Sequence, residues 1–351
     1  MHMADALLSP AVGATFWAGT LAAIGYASKK LKENIDDKMI PLMGVLGAFI
    51  FAAQMINFTI PGTGSSGHLG GGMVLAIILG PSAAFLAIAS VLTVQGLFFA
   101  DGGLLALGCN IWNMGFYPCF IVYPLLYKPL MGDSKRPARI LAVSILSTVI
   151  ALQLGAFSVV LETMLSGKSE LPFGPFVLLM QPIHLAIGIV EGFITAVVIN
   201  YVLATRPEIL ESIVASRPLD PAVPVKKVVI AFVLFSLVTG GALSWFASTH
   251  PDGLEWSIKK ITGKTELAEQ EKGIAPVMKN IQEKTVILPD YNFKPEADAT
   301  KQNEKTEAWP GIGAGTSVAG IVGAIIVLGV ILLIGMGIRT IRHRHVPSSG
   351  K

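Results

Sequence analysis

A series of long apolar runs, at about 10–28, 39–58, 72–100, 104–127, 138–162, 176–204, 227–247 and 316–338, decides what this chain can fold into. A helix that crosses the hydrocarbon of a bilayer needs about 20 apolar residues. Only helices and closed barrels leave no backbone group unsatisfied in that medium. These runs are continuous rather than alternating, which selects helices over barrel strands. Composition agrees: 52% of the 351 residues are hydrophobic and 14% are charged, against about 25% charged in soluble domains. The chain therefore reads as an all-α polytopic membrane protein with the lipid bilayer as its solvent.

The run at 72–100 is too long for one ordinary pass, and it carries Gly80-Pro81 in its interior. Proline breaks a helix there because it lacks an N–H and clashes with the preceding turn. Basic residues in short loops mark the cytoplasmic side. Lys29, Lys30, Lys32 and Lys38 lie after the first run, and Lys128, Lys135, Arg136 and Arg139 after the run at 104–127. Arg206, Arg217, Lys226 and Lys227 precede the run at 227–247. The stretch 59–71 has no Lys or Arg and 166–175 has only Lys168, which places both outside. For 104–127 to descend from the outside, 72–100 must cross an even number of times, and a split at Gly80-Pro81 provides that. The expectation is a seven-helix unit over 1–205 with its N-terminus outside, then a cytoplasmic linker over 206–226 containing Pro218, Pro221 and Pro224. A two-helix unit over 227–340 follows, with an extracytoplasmic loop at 248–315, and a cytoplasmic tail at 341–351. The loop is rich in Lys, Glu and Asp and poor in aromatics, so it reads as weakly ordered.

Several function classes fall away. A net charge of +3 offers no clustered phosphate-binding surface, so nucleic acid is not a partner. Cys109 and Cys119 are the only cysteines and lie in one apolar run. They exclude a disulfide framework or a CxxC metal site and read as small buried hydrophobes. Gly62 to His68 spells G-x-x-x-x-G-H, which lacks the lysine of a phosphate-binding loop. Any ATP must then be handled by another subunit. An intramembrane metalloenzyme would need a set such as HExxH, which this sequence lacks, and the His184 to Glu191 spacing does not replace it.

The chemistry gathers at the outer loops. The chain opens MHMADALLSP, and His68 lies in PGTGSSGHLGGG. The parity above puts both outside. A peptide that begins X-His offers a transition metal its Met1 amine, its deprotonated His2 amide and a His2 imidazole on adjoining chelate rings. One more imidazole, from His68, completes a nitrogen square, a geometry that suits Ni(II) or Cu(II) better than zinc. The alternative is two solvated loop histidines. Polar residues in and beside the spans form a candidate supporting set: Gln95, Asn110, Asn113 and Asp101, with Gln54 and Asn57 near the end of the second span. His184 and Glu191, seven apart, share a helix face. They either orient the His68 loop, hydrogen-bond between helices, or form a rigid docking face. Asp252 and Glu255, beside His250, either handle metal or form a capping box at a helix start. Met3 adds a thioether or a plain apolar contact.

Four separated stretches carry a family resemblance. The start MHMADALLSP, the loop SSGHLGGGMVLAIILGPSAA, the stretch ADGGLLALGCNIWNMG and the helix HLAIGIVEGFIT resemble the M component (CbiM/NikM) of the cobalt/nickel energy-coupling-factor transporters. HPDGLEWS with its flanking spans resembles the small N component (CbiN-like, PDGLE), so the whole chain resembles a fused M–N (CbiMN/NikMN) type. The resemblance implies a substrate-capture subunit with a seven-helix bundle like that of such S components. It implies Co2+ or Ni2+ as transported ion rather than prosthetic group, held by the amino terminus, His2 and His68. It implies a transmembrane coupling subunit (Q/T type) and a cytoplasmic ATPase (O/A type) as partners, and residence in a bacterial or archaeal inner membrane. The segment Pro251–Glu255 is implied to assist metal admission. Many relatives carry MHI where Met3 stands here. The rival reading is a secondary transporter driven by an ion gradient, for which Glu162, His184 and Glu191 are the ionisable candidates.

Overall fold

The computed structural model describes residues 2–34, 38–168, 170–215, 217–220, 222–268, 273–294 and 310–344. The protein is overwhelmingly helical. A short 3-10 turn, Asp5–Leu7, leads into α1 (Pro10–Asn34) and α2 (Met39–Gln54). A small hairpin follows, β1 (Phe58–Ile60) and β2 (Ser65–Gly67), antiparallel with Thr59 opposite Ser66. Next come α3 (Gly72–Leu79), α4 (Pro81–Val94) with a π-wound end at Gln95–Phe99, and α5 (Leu107–Ile111). The last continues as a π-wound stretch, Trp112–Tyr127, that carries Pro118 and Pro124, and ends in α6 (Lys128–Met131). Two long helices, α7 (Pro137–Leu165) and α8 (Phe173–Thr205), form a hairpin. Then follow α9 (Pro207–Val214), α10 (Lys226–Gly241), α11 (Gly253–Thr262), α12 (Ala275–Thr285) and α13 (Ala314–Arg344).

Among the described residues, four helices are long and apolar enough to cross a membrane: Pro81–Phe99, Pro137–Leu165, Phe173–Thr205 and Ala314–Arg342. α2 is a shorter apolar helix. Together they make this a multi-pass membrane protein. The expected break falls where proline and glycine dictate it. Gly80 takes φ 78°, ψ 162°, a conformation that Cβ sterics deny to other residues, and Pro81 opens α4. The central helices are apolar all round and buried, α3 entirely so. α8 is half wrapped, leaving Leu178, Ile189, Phe193 and Val197 exposed. A helix with that mixed surface faces lipid on one side.

α10 and α13 both dock on α2. Leu328, Ile331 and Leu332 of α13 lie over Gly44 and Gly47. α10 crosses α13 with backbones in contact, since a Cβ on Gly320 would sit 2.3 Å from the Gly240 carbonyl oxygen. Small residues permit that approach where lipid supplies no hydrophobic drive for association.

One expectation needs correction. The stretch 248–315 is not a weakly ordered loop in its described part: it holds α11, α12 and a short turn, Pro289–Tyr291. Its charge count concealed amphipathic faces. Leu254, Ser257 and Ile258 are buried on α11, and Val286 and Leu288 are buried after α12. The linker expected over 206–226 contains α9, whose Ile209 and Leu210 are buried.

Candidate metal-capture site

The site forms where the N-terminal segment, the 59–71 loop and the 95–106 loop meet. Met1, expected to supply the amine, lies outside the described residues. His2 and His68 come together as expected, with rings stacked at 5.1 Å and 28°.

The segment that carries His2 is pinned by backbone. Asn110 grips Met3 twice, accepting from its N–H (2.8 Å) and donating to its carbonyl (3.3 Å). The Gly103 N–H also donates to the Met3 carbonyl (2.9 Å), and the Asp5 carboxylate accepts from the Ala106 N–H (2.9 Å). Met3, Leu7 and Leu8 are buried, so Met3 serves as an apolar anchor. Its sulfur lies 3.9 Å from Asn113 Nδ2. Asn113 does not reach either histidine; it donates to Glu162 (2.9 Å).

Hydrogen bonds fix which ring nitrogen each histidine presents. His2 Nε2 meets the Gln95 carbonyl oxygen at 3.2 Å. A carbonyl only accepts, so Nε2 carries the proton and Nδ1 keeps its lone pair. Nδ1 is the nitrogen that closes a chelate ring with the His2 amide. It faces Asp101 Oδ1 at 3.4 Å, so a carboxylate stands beside the nitrogen that would take a cation. His68 Nδ1 donates to the Leu69 carbonyl (3.0 Å), so the lone pair of this ring sits on Nε2. The carbonyl partners act as the outer-shell groups that fix ligand tautomers at metal centres.

Electrostatics suit a metal more than a proton. Burial pushes the His2 imidazole down to about 3 and that of His68 down to about 4. Both rings are therefore neutral near pH 7, the form that binds metal. Burial raises the Asp101 carboxyl above its ordinary value. Tyr291 donates its hydroxyl to Asp101, and burial followed by the Asp101 charge holds that hydroxyl protonated, well above its usual range.

Of the two roles expected for Asp252 and Glu255, the structure shows the capping box. Asp252 Oδ1 accepts from the N–H groups of Leu254 (2.8 Å) and Glu255 (2.9 Å), and Glu255 accepts from the Asp252 N–H (3.1 Å). That is a complete capping box on α11. Both carboxylates also line the cavity of about 870 Å³ that His2, His68 and Asp101 line. Burial opposes ionisation of Asp252, but the amino-terminal charge, helped by the Glu255 amide, outweighs it and holds the carboxyl below the usual range. Burial, then the Asp252 charge, pushes Glu255 up to about 7. The PDGLE segment sits directly on the His68 loop: Ser66 N–H donates to the Pro251 carbonyl (2.8 Å), Ser66 Oγ to that of His250 (2.8 Å), and Trp256 Nε1 to that of Thr63 (3.0 Å).

Glu191 has a role that helix-face spacing alone could not assign. Its two carboxylate oxygens accept from the N–H groups of Gly70 (2.8 Å) and Gly71 (2.9 Å). Gln54 donates to the Gly70 carbonyl (2.9 Å). A carboxylate far inside a span and a glycine-rich loop with spare N–H groups were the two halves of that signal. His184 donates to the Met180 carbonyl (2.7 Å) and packs under Gly253, where a Cβ would lie 3.1 Å from its Cε1. Among the described residues, no group of three His, Cys, Asp or Glu side chains forms a ready metal cluster. Two imidazoles converge, with the Asp101 carboxylate beside one of them.

The fold and the site define a helical multi-pass membrane protein with two stacked imidazoles at its loop end. Comparison with known proteins gives the family. The chain belongs to the cobalt uptake substrate-specific transmembrane region family, whose model matches residues 2–209, and a PDGLE domain matches residues 226–340. It is 33% identical over 334 residues to a chain of Archaeoglobus fulgidus named as a fused nickel transport protein, NikMN, covering 93% of this chain and 96% of that one. It is 28% identical to the cobalt transport protein CbiM of Sorangium cellulosum, across 62% of this chain and 97% of the relative. A crystal structure of a truncated transition metal transporter superposes with a TM-score of 0.52 at 31% identity, covering 58% of this chain and 99% of that one.

Proposed function

We propose that this chain is the substrate-binding membrane subunit of an ATP-driven importer of Ni2+ or Co2+, of the energy-coupling-factor kind. The ion is captured at the outer face by the Met1 amine, the His2 amide and imidazole, and the His68 imidazole. Residues 1–205 form the capture unit, 206–226 a cytoplasmic linker, 227–340 the accessory unit with its outer segment at 248–315, and 341–351 a cytoplasmic tail. The N-terminus lies outside and the C-terminus in the cytoplasm of the cell (inner) membrane. ATP is hydrolysed on separate subunits, with a transmembrane partner coupling them to this chain. Gln95 and Asp101 orient His2, Asn110 orients the segment that bears it, and Asn113 braces that segment through Met3. Asp252 and Glu255 lead the ion in from the cavity.

The observation that supports this reading is the meeting of the His2 and His68 rings, stacked at 5.1 Å, with the Gln95 side-chain oxygen on His2 Nε2 and the Leu69 carbonyl on His68 Nδ1. A planar nitrogen set suits Ni2+ by coordination preference. The test is uptake into vesicles with and without the partner subunits. The proposal expects uptake that needs ATP and partners, and fails if an ion gradient alone drives full uptake. One residue added ahead of Met1 moves the amine off its chelate ring and should abolish uptake; wild-type accumulation would contradict the ligand set.

A further inference from the structure

The accessory unit grips the capture unit in a second place, away from the PDGLE segment. The end of α12 and the residues after it cross the 95–102 segment and hold it by its carbonyls. Gln282 donates to Gly96 and Gly102 (2.8 Å each), and Thr285 donates to Leu97 (2.8 Å). The Ile287 and Leu288 N–H groups both donate to Phe98 (3.0 and 3.2 Å). Tyr291 then stacks on Phe99 at 5.1 Å and 19° and donates its hydroxyl to Asp101. Asp101 is the group that faces His2 Nδ1.

Backbone strain collects at this contact. Among the described residues, the non-glycine residues with left-handed backbone are Ala100 (φ 59°), Asp290 (φ 48°) and Tyr291 (φ 57°). All three are immediate neighbours of, or part of, the Tyr291–Asp101 contact. Side chains with a Cβ pay for that conformation, and it persists where surrounding structure enforces it. Both sides of the contact are strained so that one hydroxyl meets one carboxylate.

We propose that Tyr291 is a positioning residue of the metal site: its hydroxyl fixes the Asp101 carboxylate beside His2 Nδ1, where that carboxylate slows escape of a bound ion. The accessory unit then serves retention as well as admission. This rests on the proposed capture site. The 248–291 segment bears on both arms, with PDGLE against the His68 loop and Tyr291 against the loop that orients His2.

The test uses the full chain loaded with Ni2+, with release into excess chelator timed for wild type, Tyr291→Phe, Asp101→Asn and the double variant. Tyr291→Phe keeps the ring on Phe99 and removes only the hydroxyl, so the fold is retained; an unchanged thermal midpoint checks this. Release should quicken about tenfold, the scale of outer-shell losses at metal sites. The double variant should release no faster than Asp101→Asn, because the hydroxyl works through that carboxylate. In the metal-free chain, hydrogen exchange over residues 96–103 should rise in Tyr291→Phe while 59–71 stays unchanged. Wild-type release by Tyr291→Phe, an equal further acceleration on top of Asp101→Asn, or unchanged exchange at 96–103 would each overturn the inference. A His2→Ala chain that holds Ni2+ as wild type does would instead sink the capture site itself.

Discussion

His68 and His2 reach one spot by opposite means. The His68 loop is bolted to the membrane bundle through its main chain, by Glu191 on the Gly70 and Gly71 N–H groups and Gln54 on the Gly70 carbonyl. His2 is steered through side chains, by Gln95 and Asp101 on its ring and Asn110 on the residue after it. Gln95 and Asp101 bound a loop that the accessory unit grips from above. The difference shows where the chain accepts cost. A buried carboxylate in lipid is expensive, but one that takes two backbone N–H groups is satisfied and fixes a glycine-rich loop that cannot fix itself. The His2 arm is held inside the capture unit at Met3, by Asn110 and the Gly103 N–H, and its ring faces a loop that the accessory unit also grips.

Removing a ligand should cost most. His68→Ala is expected to weaken Ni2+ binding by more than about 100-fold, above the usual outer-shell loss, with an unchanged circular dichroism spectrum; titration of the purified chain decides it. Glu191→Ala removes the bolt and should cost about 10–100-fold in affinity. Glu191→Gln should recover part of that, since one amide oxygen can still accept a loop N–H. Equal affinity in Glu191→Ala and wild type would erase the contrast between the two arms. Asn110→Ala frees the Met3 N–H and carbonyl and should cost about tenfold, with the loss confined to the His2 arm. Exchange at 59–71 should stay at the wild-type level there, and a rise would show that the arms are not separate.

The smallest effect concerns protons. Burial holds the imidazoles at about 3 and about 4, and the neutral ring is the metal-binding form. Protons therefore compete at the histidines only as pH falls toward 4. A decline in affinity from pH 8 to 5 should come from the terminal amine, which titrates near 7.7–8.0 when free. Nitrogen-15 spectra of the metal-free chain should show both rings neutral at pH 5.5. Midpoints near 6.5 for either ring would contradict their burial.

The membrane helices were legible because their signal is local. The run expected at 138–162 is α7, the run at 176–204 is α8, and Gly80-Pro81 breaks the chain as its residue types demand. The meeting of His2 with His68 was legible because loop charge placed both on one side. The stretch after residue 248 was misread because order there comes from contact. Trp256 docks on Thr63 and Thr285 on Leu97, and no local count of charges reports a distant surface. Glu191 shows the same limit. Its spacing from His184 told which face it occupies, but its partners are main-chain N–H groups, which carry no residue signature. Tyr291 was unreadable for a further reason, since its role depends on Asp101, far away in the chain.

X-ray absorption on the full chain loaded with one equivalent of Ni2+ tests the central claim most directly. Nitrogen scatterers alone in the first shell, with the outer-shell pattern of two imidazoles that drops to one in His68→Ala, are the predicted result. Sulfur or carboxylate oxygen in that shell, or an imidazole count that His68→Ala leaves unchanged, would contradict it.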